Sequence, residues 1–302
     1  MLLNERVERT ELTVLKLLNL RMEIPDDAKH RLSILQKGYE GELRFDESSA
    51  WLAEKFLILR DLFLDYDGNK FQIDTLIITQ KCIVVCEVKY YQGNYYYEDG
   101  EFRNITTRKK IKNPLHQLSR CKTLLSQLLQ KHGFHLSIDG NVIFNHPEFF
   151  LYDAPQDKPI IYLPQLNQYL HNLSGLPSVL NDGHHRIAQF LLERHIANPP
   201  FELPFSYDFN GMRKGFCCGR CGSFFVSSGG RNLVCNNCGF EEELGTAVLR
   251  CVEEIRLLFP ELKITTKLVY EWCGVEGGRK RVMRILNKHF KKMGYGKHVY
   301  FI

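Results

Sequence analysis

Two stretches of this chain place charge where the interior of a sheet should be apolar. Phe71-Gln72-Ile73-Asp74-Thr75-Leu76-Ile77-Ile78 carries Asp74, and the run Ile83-Val84-Val85-Cys86 ends on Glu87-Val88-Lys89. A buried carboxylate or ammonium without a partner is costly, so such groups are retained where they hold something. In a strand, Glu87 and Lys89 point to one face and Val88 to the other. Two carboxylates and a lysine on adjacent strands form a setting for a divalent cation, and that chemistry suits hydrolysis of a phosphodiester. The plainer alternative is an exposed cross-strand ion pair of little energetic weight.

A second set of residues has metal-ligand spacing. Cys218-Gly-Arg-Cys221 and Cys235-Asn-Asn-Cys238 are two Cys-x-x-Cys knuckles with 13 residues between them. Each knuckle puts two thiolates on one tight turn, and a hairpin between them brings the pairs together around Zn²⁺. Phe224-Phe225-Val226 and Asn232-Leu233-Val234 read as the hairpin strands, joined through Ser227 to Gly230. Cys217 competes with Cys218 for the first position; Cys218 gives the symmetric spacing. Two matched pairs favour a structural metal over a redox dithiol.

The elements that must position these residues read as follows. Residues 5–23 and 26–37 are two amphipathic helices, and a longer helix runs from about Gly38 to Leu59. Strands follow at about 60–66, 70–79 and 82–91, with a further hairpin over Tyr95 to Phe102. A helix opens at Pro114 and runs to about Lys131, and Val142-Ile143-Phe144 is a short buried strand. Helices near 164–172 and 184–195 close an α/β domain, and Ala197 to Pro204 reads as a linker. In the last fifth of the chain, Thr246 to Leu258, Thr265 to Cys273 and Arg279 to Met293 read as helices, with Thr266 near a cap. Gly274 to Gly278 is a turn, and His298 to Ile302 is a terminal strand.

Bulk properties bound the answer. A chain of 302 residues, 44% hydrophobic and 25% charged, has the composition of an ordinary globular protein of more than one domain. Its longest apolar run, Phe56 to Leu64, is broken by Arg60 and Asp61, so no membrane span is expected. The first residues lack the apolar core of a signal peptide, and the cysteines are not spread as in a secreted scaffold, so the chain reads as cytoplasmic. The net charge of +5 is uneven: residues 244–302 hold 12 Lys/Arg against 5 Asp/Glu. Lys280, Arg284, Lys288 and Lys291 fall on one face of the third C-terminal helix and are candidate contacts for a polyanion. An ordinary solvated helix presents the same pattern.

Gly38-Tyr39-Glu40-Gly41-Glu42, Phe71 to Asp74, Glu87-Val88-Lys89 and Asn113-Pro114-Leu115-His116-Gln117, in this order, resemble the nuclease-related domain family of the PD-(D/E)-x-K nuclease superfamily. The resemblance implies a restriction-endonuclease-like core, α-β-β-β-α-β, within residues 1–200 and centred on 38–150. It implies that Asp74, Glu87 and the Val88 carbonyl hold Mg²⁺ or Mn²⁺, and that Lys89 acts on the attacking water or the scissile phosphate. It also implies that Glu42 and Gln117 reach the site from flanking helices. The zinc segment, residues 213–242, is similar to a zinc ribbon. Residues 244–302 resemble a helix-turn-helix with a small wing. The function expected is a metal-dependent deoxyribonuclease; the alternative is a nuclease fold that binds nucleic acid without turnover.

Overall fold

The computed structural model describes residues 1–224, 226–229, 232–274 and 278–302, with the backbone alone at 226–229 and 297. The expected features at Phe225, Gly230 and Val275 to Gly277 lie outside the described residues. The chain divides into two compact units, one of Met1–Arg9 with Ser33–Phe201, the other of Thr10–Leu32 with Glu202–Ile302. Helix α1 (Thr10–Arg21) therefore groups with the C-terminal residues.

The first unit holds most of helix α2 (Asp26–Ser49). After it come strands β1 (Leu57–Tyr66), β2 (Asn69–Ile78) and β3 (Cys82–Lys89). Strands β4 (Gly93–Glu98), β5 (Glu101–Asn104) and β6 (Lys110–Ile111) lead into helix α3 (Pro114–Lys131). Strands β7 (Ser137–Phe144), β8 (Phe149–Tyr152) and β9 (Ile160–Tyr162) and helices α4 (Leu163–Ser174) and α5 (Asp182–Glu193) complete it. The main sheet has the order β1-β2-β3-β7-β9; β1, β2 and β3 are antiparallel and β7 and β9 join in parallel. A second sheet has the order β6-β5-β4-β8.

Both faces of the main sheet are covered. Leu57, Leu59, Ile73, Ile83, Val85 and Val142 pack with Leu118, Leu125 and Leu129 of α3. Ile58, Ile77, Val84, Cys86, Val88 and Ile143 pack with Phe45 of α2 and Leu166, Leu170 and Leu173 of α4. This is the α/β core expected, with several differences: β6, β8 and β9 have no counterpart in the sequence reading, β7 is longer than the strand expected at Val142 to Phe144, and three more fall in the first part of the chain. Residues 5–9 are not helical, because the first residues pair with the edge of β1: Leu3 N donates to Ile58 O at 2.9 Å and Ile58 N to Met1 O at 3.0 Å. One helix, Asp26–Ser49, replaces the two expected over 26–59. Finally, β1 begins at Leu57 rather than 60. A strand buried on both faces reads as an unbroken apolar run, which periodicity does not separate from a buried helix.

In the second unit, β10 (Val226–Gly229), β11 (Asn232–Cys235) and β12 (Glu241–Glu243) form a three-stranded sheet. Helices α6 (Leu244–Leu258), α7 (Thr266–Cys273) and α8 (Arg279–His289) follow, then a two-stranded sheet of β13 (Lys292–Met293) and β14 (Tyr300–Phe301). The cap of α7 is Thr265, whose side chain accepts from Leu268 N at 3.1 Å, not Thr266. Helix α8 stops at His289 because Phe290 is extended, so Lys291 lies on the hairpin, bonded through its backbone to Ile302, and not on the helix face. Among the described residues no helix is long and apolar enough to cross a membrane.

Candidate functional site

Strands β2 and β3 pair regularly from Ile78↔Ile83 to Thr75↔Cys86. The ladder stops there, one step short of the position where the same register would set Asp74 opposite Glu87. Val88 N donates to the Asp74 carboxylate, Oδ2, at 2.8 Å, while Asp74 O accepts from Arg6 Nη2 at 2.7 Å. Past the end of the ladder, a side chain thus takes the backbone N of Val88 and another the backbone O of Asp74.

The neighbouring strand shares the irregularity. Asp61 of β1, opposite Asp74, has φ 48, the left-handed region. That turn resets the strand alternation: Leu57 and Leu59 before it and Leu62 and Leu64 after it all join one core. On β2 the same three-residue gap separates Ile73 from Leu76. Gln72 Nε2 ties the kink together, donating to Asp61 Oδ1 at 2.9 Å and Asp74 Oδ1 at 3.2 Å.

The carboxylates are deep. Asp74 is 4% exposed and Glu87 0%. Glu87 Oε1 accepts from Lys89 Nζ at 2.5 Å, whereas Glu87 Oε2 is buried with no hydrogen-bond partner. Burial, reinforced by the charge of Asp74, pushes the Glu87 carboxyl up to about 7. Burial works against the Lys89 ammonium, but Glu87 and Asp74 outweigh it and hold Lys89 above its ordinary value.

Glu42 projects from α2 and feels the same Asp74; burial first, then that charge, pushes it up to about 8. Its carboxylate is bound by Arg6, Nη1 to Oε2 at 2.6 Å. Arg6 also binds Asp46 through Nε at 2.8 Å, and Asp46 faces Arg60 at 3.2 Å. Asp74 thus lies between Glu87 on one side and the Arg6–Glu42 pair on the other.

Gln117 sits half-buried in the first turn of α3, capped by Asn113, whose side chain accepts from Leu115 N at 2.9 Å. Its side chain makes no hydrogen bond to the carboxylates. Of the two glycines of α2, Gly41 permits close approach: a Cβ there would meet Tyr90 Cβ at 2.4 Å. Gly38 has open space around it and serves no such purpose.

Arg6, Asp46, Asp61 and Gln72 complete this constellation, and sequence reasoning does not single them out. Arg60-Asp61 interrupting an apolar run is the one available signal; Arg6 carries none.

The four cysteines of the second unit come together. Their Sγ atoms lie within 4.8 Å of one another, with Cys218–Cys238 and Cys221–Cys235 each at 3.6 Å. Tetrahedral Zn²⁺ with Zn–S bonds near 2.3 Å needs sulfurs about 3.8 Å apart, so the donor set fits that ion. Gly222 and Gly239 close the knuckles at φ 72 and 70. Cys217 stays outside, buried against Arg250 and Glu254, which decides the choice in favour of Cys218. Among the described residues this is the one set of three or more such ligands so closely gathered. Glu42, Asp74 and Glu87 are not gathered so closely.

Lys280, Arg284 and Lys288 are exposed on α8, and Lys291 is exposed on the hairpin beyond it.

A mixed sheet flanked by helices thus carries buried carboxylates and a lysine where two strands part. Residues 37–145 match the family model of the nuclease-related domain. The matched span contains Glu42, Asp74, Glu87, Lys89 and Gln117; Arg6 lies outside it. No curated protein and no solved structure matches the chain.

Proposed function

We propose that this protein is a divalent-cation-dependent nuclease that hydrolyses phosphodiester bonds of DNA. The observation that carries the reading is Glu87 Oε2, a fully buried carboxylate oxygen with no partner, on the residue that the register would set opposite Asp74. Lys89 serves only the other oxygen of this carboxyl, so Glu87 Oε2 is left free to receive a cation that Asp74 would share. Asp74, Glu87 and the Val88 carbonyl would hold Mg²⁺ or Mn²⁺, which when bound supplies Lewis acidity at the phosphate.

The chain's own residues do the rest. Lys89, kept charged by Glu87 and Asp74, neutralises charge developing on the scissile phosphate or orients the water. Arg6 holds Glu42 as an outer carboxylate. Gln117 contacts substrate from the start of α3. Cys218, Cys221, Cys235 and Cys238 bind Zn²⁺ as a structural ion, since four thiolates leave no open position. Lys280, Arg284, Lys288 and Lys291 contact phosphates of the nucleic acid.

Asp74→Asn keeps an acceptor for Val88 N and removes one charge. Cleavage of plasmid, linear duplex and single-stranded DNA is expected to require Mg²⁺ or Mn²⁺, and to fall at least about a hundred-fold in Asp74→Asn and Lys89→Ala. Cleavage by both pure variants at the wild-type rate refutes the assignment. Wild-type protein that binds DNA and leaves it whole with either cation supports instead a nuclease fold used only for binding.

A further inference from the structure

The second sheet of the nuclease-related unit has one face in the core and one in solvent. Tyr95, Phe102, Phe149 and Leu151 pack inward. The outward face is not the polar surface expected of such a sheet. Phe150 is 58% exposed and Tyr152 53%. They are two apart on β8, so they share that face.

Register extends the pattern across four strands. Lys110 pairs with Arg103, Arg103 with Tyr96, and Tyr96 with Tyr152. Directly opposed residues share a face, so this row reads cation, cation, aromatic, aromatic from β6 to β8. Arg108 adds its guanidinium over the Tyr96 ring at 5.8 Å. Glu98 and Glu101 offset part of this charge, at 3.9 Å from Arg103 and 2.7 Å from Lys110. The exposed rings of Phe150 and Tyr152 and the half-buried ring of Tyr96, beside the exposed Arg108 and Lys110 and the half-buried Arg103, are the chemistry that receives unpaired bases and their phosphates together. A double helix hides its base faces and cannot use the rings.

The sheet also leads to the carboxylates. Gly93, the first residue of β4, is four residues beyond Lys89, within about 14 Å along the chain. Lys112, just past β6, is near enough that its charge acts on Glu87.

We infer that the outward face of β6-β5-β4-β8 is a platform for single-stranded nucleic acid, with bases stacked on Tyr96, Phe150 and Tyr152 and phosphates on Arg103, Arg108 and Lys110. The inference rests on the nuclease reading and narrows its substrate to strands that are unpaired at this face.

The test uses the full chain in EDTA, so that binding is read without cleavage. Fluorescence anisotropy is measured with a labelled thymidine oligonucleotide and with a hairpin duplex of similar length. Both rings are exposed, so the double variant Phe150→Ala/Tyr152→Ala should fold as the parent. It is expected to bind the single strand at least about ten-fold more weakly and the duplex within about two-fold of wild type. Tyr152→Phe should keep single-strand affinity, and Arg103→Gln should lower it and flatten its salt dependence. Unchanged single-strand affinity, or equal losses for both nucleic acids, overturns the proposal. So does a double variant that converts a dimer to a monomer in sedimentation while binding the single strand normally, which would make the face a contact between copies. Failure here leaves the cleavage test of Asp74→Asn untouched, and failure of that test leaves this binding result standing.

Discussion

Glu87 and Glu42 are acids held against their ordinary chemistry, and that can be measured. Burial, with Asp74 alongside, raises both carboxyls. An acid raised in the folded state keeps a proton that the unfolded chain has already released. Its contribution to stability is therefore full below the ordinary value of 4.5, and is lost as pH rises through about 7 for Glu87. A divalent cation binds the ionised form and opposes that loss. Thermal melts with Mg²⁺ and with EDTA should differ little near about pH 6 and more near about pH 8, the Mg²⁺ sample melting higher. Glu87→Gln, which has no proton to give up, should flatten most of this dependence. A Mg²⁺ shift as large at the acidic end, or one surviving in Glu87→Gln, would show that the cation binds elsewhere.

The elements that carry these residues constrain them through helix α2 and its two glycines. A side-chain carbon added at Gly38 would have nothing within 4 Å, whereas one at Gly41 would strike the Tyr90 Cβ at 2.4 Å. Asn145 Nδ2 also donates to Gly41 O at 2.7 Å, fixing the turn that presents Glu42. Gly38→Ala should stabilise by about 0.5–1 kcal/mol through helix propensity, and Gly41→Ala should destabilise by about 1–3 kcal/mol through overpacking. Denaturant midpoints check both, and equal effects at the two positions would remove the close approach as an explanation. Strands β2 and β3 are legible in the sequence because charge on an otherwise apolar alternation is conspicuous, and that same signal marks Asp74, Glu87 and Lys89. The cysteines are legible from spacing alone. Strand β1 is legible only from residue 60, because Leu57 to Leu59 are buried and read as the end of the preceding helix, and the left-handed Asp61 breaks the strand's alternation. Arg6 is not, because it reaches Asp74 across 68 residues of sequence from a segment whose pattern reads as the start of a helix. Lys291 reads as helical because a stripe of charge continues past the point where Phe290 ends α8.

At the scale of the whole molecule, the chain enters the second unit early, at Thr10–Leu32, and returns to it only at Glu202. The tie between these segments is buried. Arg21, with no side-chain exposure, is ion-paired to Glu254 of α6, 233 residues away. Trp272 lies under the guanidinium at 4.2 Å and donates from Nε1 to the same carboxylate at 3.0 Å. Arg21 Nη1 donates to Arg213 O at 2.9 Å. Removing one member leaves the other charged and desolvated, which costs about 3–5 kcal/mol; replacing both by apolar groups of similar size costs much less. Glu254→Gln and Arg21→Met should each strongly destabilise the second unit, while Arg21→Met/Glu254→Leu should lose well under the sum of the two single effects. Amide hydrogen exchange resolves where the loss falls. Protection should drop across residues 10–32 and 202–302 and hold across 33–201. If the single variants exchange as wild type, α1 is not secured by this pair. If protection falls equally throughout the chain, the two units do not unfold separately, and the stability of the nuclease-related core depends on an arginine that the family match does not include.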